Sequence, residues 1–385
     1  MAAIKYRQFI QPDILTSIDP GRLLLLLSPY REYLTKRGLA FPAFPYAAIH
    51  CAKLSAILAK PDEQIPSRMV DALYFVNEMS NIVAVDGLIA SAKAAHPEMK
   101  FSMDASNADI VVQIWLADPD LVEKKHAASM INKPRSFEYY ISDCPQPQSF
   151  SMPDPTEIQA MEATMDDWFE LNRRGRNCRI IVADHGDKIS FLIRHGLPMQ
   201  REGTIHNNGE SISVCYRPEV YDAVFYNRTL NELGVRASGT KGEKRLYRET
   251  IGLHLFKNNK YFPEHQKFTL APLAVDGANA LVCSDIDGLE HVTLTAIKNS
   301  LNEGYNGHNL YTADDVFLSM IEKQRSMPPA SELTMAVFSM KIAGVKNPRS
   351  LTIKLPNHAM YHRDGESGVI DQFISKRGFI YTLGR

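Results

Sequence analysis

Hydrophobic positions in the first part of the chain recur at the three- and four-residue spacing of amphipathic helices. Asp19 followed by Pro20 is typical of a helix N-terminus, and the helix predicted there carries the leucines at 23–27 into a core. Further helices are predicted over about 47–58 and about 67–79. The pattern indicates a mainly helical N-terminal part of about 145 residues.

The next segment is less regular. The apolar run 108–117 fits either a strand or a helix, because periodicity alone does not separate the two over so short a length. Four prolines between residues 144 and 155 are typical of a linker. A helix with many carboxylates on its outer side is predicted from about 156 to 170.

Short strand-like runs dominate the chain after residue 178. They cover 179–183, 188–194, 211–216, 220–226 and 232–237. The Asn-Asn-Gly sequence at 207–209 favours a tight hairpin turn, so an antiparallel meander of four or five strands is predicted. Thr240 and Glu243 have the spacing of a capping box, and the helix they open should reach about Phe256.

The C-terminal part mixes helices and strands. The pattern predicts strands at 280–283 and 291–296 about a turn at 285–288, a helix at 313–323, strands at 333–342 and 350–355, and a closing helix at 369–376. The predicted fold class is α+β, with a helical N-terminal part, a central antiparallel β meander with a capped helix, and a smaller α/β C-terminal part. The predicted domains are 1–145, 156–260 and 261–385, the last packed on the central module.

Composition limits the class of protein. The chain has 385 residues, 45% hydrophobic and 23% charged, which is typical of globular proteins with one to three domains. Its five cysteines are scattered and form no C-x-x-C pair, which argues against a disulfide framework or a structural zinc site. No secretory signal is visible, and the leucine run is too short to cross a bilayer. We expect a cytoplasmic protein without membrane association.

Charge is segregated along the chain, although the whole carries only −1. Residues 101–170 hold 4 basic and 13 acidic side chains, whereas residues 171–260 hold 16 basic and 9 acidic ones. Two clusters and one neighbouring aromatic residue form a candidate anion-binding surface: Arg173, Arg174, Arg176, Arg179, Lys241, Lys244, Arg245, Arg248 and Tyr247. The spacing of the second cluster places its four cations on one helical face.

These cations predict a non-catalytic binding or adaptor protein whose basic central module engages nucleic acid or another polyanion. Two other interpretations stay open. The cations can form an ordinary solvated face, or the acidic 101–170 segment can dock on them and mask them. The sequence 234–241 nearly matches a phosphate-binding loop, but Thr240 and Lys241 stand in exchanged order, so nucleotide hydrolysis is not predicted. Backbone groups at that helix N-terminus can still hold one phosphate.

Two alternative functions remain. One is a metal-dependent phosphodiesterase or nuclease using Asp285, Asp287 and a histidine such as His195, although Asp and Gly are also what a turn requires. The other is a component of a larger protein assembly, with a protein partner or self-association through the helical front. A host-defence role, such as antiviral defence, would suit the polyanion-binding function and the nuclease function. Outside the nuclease alternative, no cofactor and no metal site are predicted.

Overall fold

The computed structural model describes residues 7–41, 49–102, 104–132, 136–142, 144, 150–184, 186–205, 209–237, 239–301, 306–345, 347–363 and 367–381. The chain groups into two compact units, Met1–Ser129 with Gly203–Ser213, and Met130–Glu202 with Val214–Arg385. The three-part domain division stays a prediction, because compactness alone does not show where independently folding domains begin and end.

The first unit is built from helices. Its α-helices, with the last reaching into the second unit, are α1 (Pro12–Thr16), α2 (Pro20–Leu27), α3 (Arg31–Lys36), α4 (Cys51–Ala59), α5 (Ser67–Met79), α6 (Ile82–Ala95), α7 (Asn107–Ala117) and α8 (Pro119–Asn132). Asp19 caps α2 by accepting a hydrogen bond from the backbone N–H of Arg22, as the sequence predicts. The ambiguous run is a helix, α7, because Val111, Val112 and Ile114 are fully buried in this helical core.

The second unit contains one antiparallel sheet of ten strands. They are β1 (Ser136–Ile141), β2 (Arg179–Asp184), β3 (Lys188–Gly196), β6 (Glu219–Asn227), β7 (Glu232–Arg236), β8 (Leu289–Ser300), β9 (His308–Thr312), β10 (Leu333–Ile342), β11 (Arg349–Lys354) and β12 (His358–Met360). Their order across the sheet is β2-β3-β6-β7-β1-β12-β11-β10-β8-β9. The strands β4 (Gln200–Ile205) and β5 (Ser211–Tyr216) form a separate two-stranded sheet.

The described part of the chain contains five further α-helices. They are α9 (Pro155–Leu171), α10 (Lys241–Phe256), α11 (Ala271–Val275), α12 (Val316–Glu322) and α13 (Ser367–Lys376). The α+β class with N-terminal helices and an antiparallel sheet is confirmed. None of the helices in the described ranges is both long enough and apolar enough to cross a bilayer.

The predicted meander differs from the sheet in one connection. The strands occur where the sequence places them, but β5 does not join the large sheet, and β3 pairs directly with β6 over nine residues. Burial explains the difference. Most residues of β3 and β6 are buried, whereas every residue of β5 is exposed. The Asn207 and Asn208 positions of the predicted hairpin turn lie outside the described residues.

Two local predictions are wrong. The segment 280–283 is not a strand, since its first two residues end a 3-10 helix over Gly277–Leu281. The turn at 285–288 therefore leads into β8 and is not a hairpin. Helix α10 begins at Lys241 and ends at Phe256 as predicted, but the Thr240 side chain makes no capping hydrogen bond. The expected partner, Glu243, is instead buried in an ion pair with Arg174. A buried guanidinium needs a charged partner more than a helix end needs one more acceptor.

The sheet carries a hydrophobic core on each face. Side chains alternate along β1, so Tyr140 belongs to the core shared with α9 and α10, while Phe137 and Tyr139 belong to the core shared with α13. Each core supports one of the two cavities described below.

Candidate functional site

The first predicted cluster of arginines is largely neutralised by the protein itself. Arg174 is buried against Glu243. Arg176 contacts Asp167 at 2.6 Å and Glu170 at 3.1 Å. The remaining pair joins Arg179 to Glu162 at 3.3 Å. Three of these four carboxylates lie on α9, so the acidic helix screens two cations of the neighbouring basic segment. Arg173 is exposed, at a left-handed backbone position with φ of 63°.

The second cluster is also mostly paired. On α10, Lys244 contacts Glu138 of β1, Arg245 contacts Glu249 at 2.7 Å, and Arg248 contacts Glu264 at 3.2 Å. Tyr247 is fully buried, and its hydroxyl donates to Asp222 at 2.7 Å, so its ring is not on the surface where a base could stack. Lys241 is exposed and forms no ion pair with a carboxylate of the described ranges.

An open polar cavity of about 460 Å³ is lined by two of these cations, the paired Lys244 and Lys241, which is unpaired among the described residues. We call it the lysine pocket, because Lys241 and Lys244 of α10 and Lys354 at the end of β11 line it. Its other lining residues are Glu138, Tyr140, Glu264, His265, Gln266, Leu355, Pro356, Asn357 and His358. The pairing of β1 with β12 and of β12 with β11 brings Lys354 to the same cavity as α10.

The charges of the lysine pocket leave a positive excess. Three lysines face two glutamates, a formal charge of +1. Both glutamates already have a partner, since Lys244 holds Glu138 and Arg248 holds Glu264. Lys354, like Lys241, is exposed and makes no ion pair with any described carboxylate. These two ammonium groups are therefore available to an anion from solution.

Titratable groups in the lysine pocket keep this polarity near neutral pH. Burial alone would raise the pKa of Glu138, but hydrogen bonds from Lys244 and Tyr140 outweigh it and hold that pKa below its usual value. Burial lowers the pKa of His358, and the neighbouring Lys354 acts in the same direction. The pocket at pH 7 therefore combines an ionised Glu138 with a neutral His358.

A separate buried network surrounds His195. Its ring nitrogens face two acceptors, the Gly196 carbonyl at 3.0 Å and the Asp222 carboxylate at 3.1 Å, so both nitrogens are placed to donate. Glu243 lies 3.8 Å from the same ring, and Phe169 stacks on it with centroids 4.3 Å apart. The network places the Arg174 guanidinium and the His195 ring beside two buried carboxylates, those of Glu243 and Asp222.

This network bears on the nuclease alternative. Within the described ranges, one group of potential metal-ligating atoms lies close together, and it consists of His195, Asp222 and Glu243, all buried. The structure does not bring Asp285 or Asp287 into that group. Asp285 instead contacts Lys376 and Arg377. The Arg174 guanidinium lies next to Glu243 and would repel a divalent metal ion bound there. The group of His195, Asp222 and Glu243 therefore fits a buried ion-pair network better than a metal centre.

Sequence reasoning missed the residues that complete the lysine pocket. Lys354 and His358 carry no motif, and their link to α10 depends on strands that are distant in sequence. The contact between His195 and Asp222 was also missed, because the predicted meander places the strand 211–216 beside 188–194. The observed pairing of β3 with β6 makes Asp222 the cross-strand partner of Ile193 and the diagonal neighbour of His195 on the same face.

Comparison with models of protein families finds no family that matches this chain. Comparison with curated proteins finds no match either. The function is therefore argued from the chemistry of the site alone.

Proposed function

We propose that the protein is a non-catalytic binding protein whose lysine pocket takes phosphate groups of a nucleic acid or another polyanion. The observation that supports this most directly is the convergence of Lys241, Lys244 and Lys354 on one open cavity with a positive excess. Lysine ammonium groups bind phosphate as point charges and need no bidentate geometry.

The proposed surface is smaller than the whole basic module. Arg174, Arg176 and Arg179 already contact carboxylates of this chain, so they add little to an approaching anion. Binding is assigned chiefly to Lys241 and Lys354, with Lys244 able to exchange Glu138 for a phosphate. About two phosphate contacts on a single-stranded nucleic acid predict a slope of about −1.4 for the logarithm of affinity against the logarithm of salt concentration.

The test is fluorescence anisotropy with a labelled single-stranded oligonucleotide, titrated with the whole chain at 50 and 200 mM salt. Binding should weaken with salt at the slope given above, and Lys241→Gln with Lys354→Gln should remove it. Lys188→Gln is the matched control, because Lys188 lines a different cavity on the opposite face of the sheet. Equal binding by the double variant at low salt would contradict the proposal, as would the absence of any binding by the unaltered chain.

The five cysteines are all free, which supports placing this binding in the reducing cytoplasm.

The two alternative functions have separate tests. The nuclease alternative is tested by incubating the same oligonucleotide with Mg²⁺ or Mn²⁺ and looking for cleavage. Self-association through the helical front is tested by size-exclusion chromatography with light scattering.

A further inference from the structure

A second cavity, of about 290 Å³, lies on the other face of the sheet from the lysine pocket. Tyr139 lines this cavity, whereas its strand neighbours Glu138 and Tyr140 line the lysine pocket, and alternate residues of a strand face opposite sides. We call it the aromatic pocket. Its lining residues are Tyr139, Lys188, Phe225, Asn227, Leu230, Glu232, Lys267, Phe268, Tyr361, Arg363, Asp371, Gln372, Ile374, Ser375 and Ile380.

Flat aromatic walls define the shape of the aromatic pocket. Gly234 is the cross-strand partner of both Tyr139 and Phe225, and the Phe225 ring fills the space that a side chain at 234 would need. Tyr139 lies edge-on to Phe225 and to Phe268, with ring centroids 6.0 Å and 5.7 Å away. A cavity with such walls favours a planar apolar body.

The charges in the aromatic pocket are not balanced. Lys267 pairs with Glu232 at 2.6 Å. Arg363 donates to the hydroxyl oxygens of Tyr139 and Tyr361, and the hydroxyl of Tyr361 donates in turn to Asp371 at 2.5 Å. Three cations thus face two carboxylates, and one positive charge remains.

Two cations are placed to receive a ligand. Lys188 makes no ion pair with the carboxylates that the structure describes. The Nε of Arg363 is buried and has no hydrogen-bond partner within those same ranges. The Lys188 ammonium and the Arg363 guanidinium each lie 5.7 Å from the centroid of the Phe225 ring, so both flank one aromatic wall.

We propose that the aromatic pocket binds an aromatic carboxylate. The ring of the ligand packs against Tyr139, Phe225 and Phe268, and its carboxylate accepts from Lys188, with the Arg363 guanidinium also in the lining of the cavity. A neutral aromatic molecule would leave the excess charge uncompensated, and an aromatic amine would add to it. The pocket therefore selects by charge as well as by shape. This inference is independent of the polyanion binding assigned to the lysine pocket.

The experiment is isothermal titration of the whole chain with 2-naphthoate, 2-naphthamide and 2-naphthylmethylamine. We expect saturable binding of 2-naphthoate, with the amide and the amine at least tenfold weaker. Lys188→Gln should weaken 2-naphthoate binding about tenfold, equivalent to about 1.4 kcal/mol. Lys354→Gln is the control, because Lys354 lines the lysine pocket, and it should leave 2-naphthoate binding unchanged.

A second variant tests whether 2-naphthoate binds in the aromatic pocket, by blocking the cavity with a larger side chain. Ser375 is an exposed residue of α13 at the cavity, so Ser375→Trp should block entry without disturbing the core, and Ser375→Ala should not. The proposal is overturned if 2-naphthoate does not bind, if the amide binds equally well, or if Lys188→Gln and Ser375→Trp both leave binding unchanged. Loss of oligonucleotide binding in Lys241→Gln with Lys354→Gln, with 2-naphthoate binding intact, would show that the two sites are separate.

Discussion

Glu243→Gln should be the most destabilising single-atom change in the second unit. The carboxylate is fully buried, pairs with Arg174, and lies 3.8 Å from His195, whose two ring nitrogens both face acceptors. Replacing it with an amide leaves the buried Arg174 guanidinium without its carboxylate partner. Two unit charges 4 Å apart interact by about 4 kcal/mol at an effective dielectric constant of 20. Removing one partner of a buried pair costs about 3–5 kcal/mol in proteins, which agrees with this Coulomb energy.

The control is the same substitution on the same helix at a solvated pair. Glu249 of α10 pairs with Arg245 at 2.7 Å, but both side chains are exposed to water. Such a pair one helical turn apart contributes about 0.3–0.5 kcal/mol, so Glu249→Gln should be nearly neutral. The variant Arg174→Met with Glu243→Met removes one cation and one anion together. It should recover much of the stability lost in Glu243→Gln, since neither member of the buried pair is then left without the other.

The assay is urea unfolding followed by the fluorescence of one tryptophan. The chain has two, and Trp115→Phe leaves Trp168, which lies on α9 with its ring 5.7 Å from the Arg174 guanidinium. In the Trp115→Phe background, tryptophan fluorescence therefore follows the unfolding of the second unit alone. A cost for Glu243→Gln no larger than that for Glu249→Gln would refute the charge-balance argument. So would a double variant less stable than Glu243→Gln.

Three further outcomes are expected from urea unfolding, followed by Trp168 for changes in the second unit and by Trp115, in a Trp168→Phe background, for changes in the first unit. Gly239→Ala should cost several kcal/mol, because its methyl group would occupy the space of the Glu243 carboxylate, whereas Gly87→Ala has open space in α6 and should be neutral or stabilising by up to about 1 kcal/mol; equal effects would contradict this. His358 has a pKa below its usual 6.5 in the folded state, so its contribution to stability is full above pH 6.5 and is lost as the pH falls through its folded-state pKa. His358→Gln should flatten that pH dependence between pH 7.5 and 5.5, and an unchanged profile would count against it. Asp154→Ala removes the N-terminal cap of α9 and should cost about 1 kcal/mol, with Asp120→Ala of α8 as a comparison at a first-turn position that should cost less.

Much of the local structure could be predicted from the sequence. Helix α10 begins and ends at the predicted residues, and β10 occupies the predicted range 333–342. These elements are long and strongly patterned, so the alternation of apolar and polar positions was sufficient to identify them. The position of β5 outside the large sheet was not predictable, because its alternating pattern resembles that of a sheet strand.

The candidate sites were only partly within reach of the sequence. The sequence identified the cations of α10, but Glu138, Glu249 and Glu264 neutralise three of them through contacts that a charge count along the chain does not show. Burial of Tyr247 is a similar case, since an aromatic residue on a helix can face either the core or the solvent.

The pattern of residues was sufficient to predict the fold class, most helices and strands, and the concentration of positive charge after residue 171. Which of those charges remain available, and where the two cavities form, depends on contacts between distant segments. Strand β1 is the clearest case, because it inserts between β7 and β12 and so joins segments that are far apart in the chain. Periodicity is set by neighbours along the chain, whereas the choice of strand partners depends on how much apolar surface the whole sheet buries.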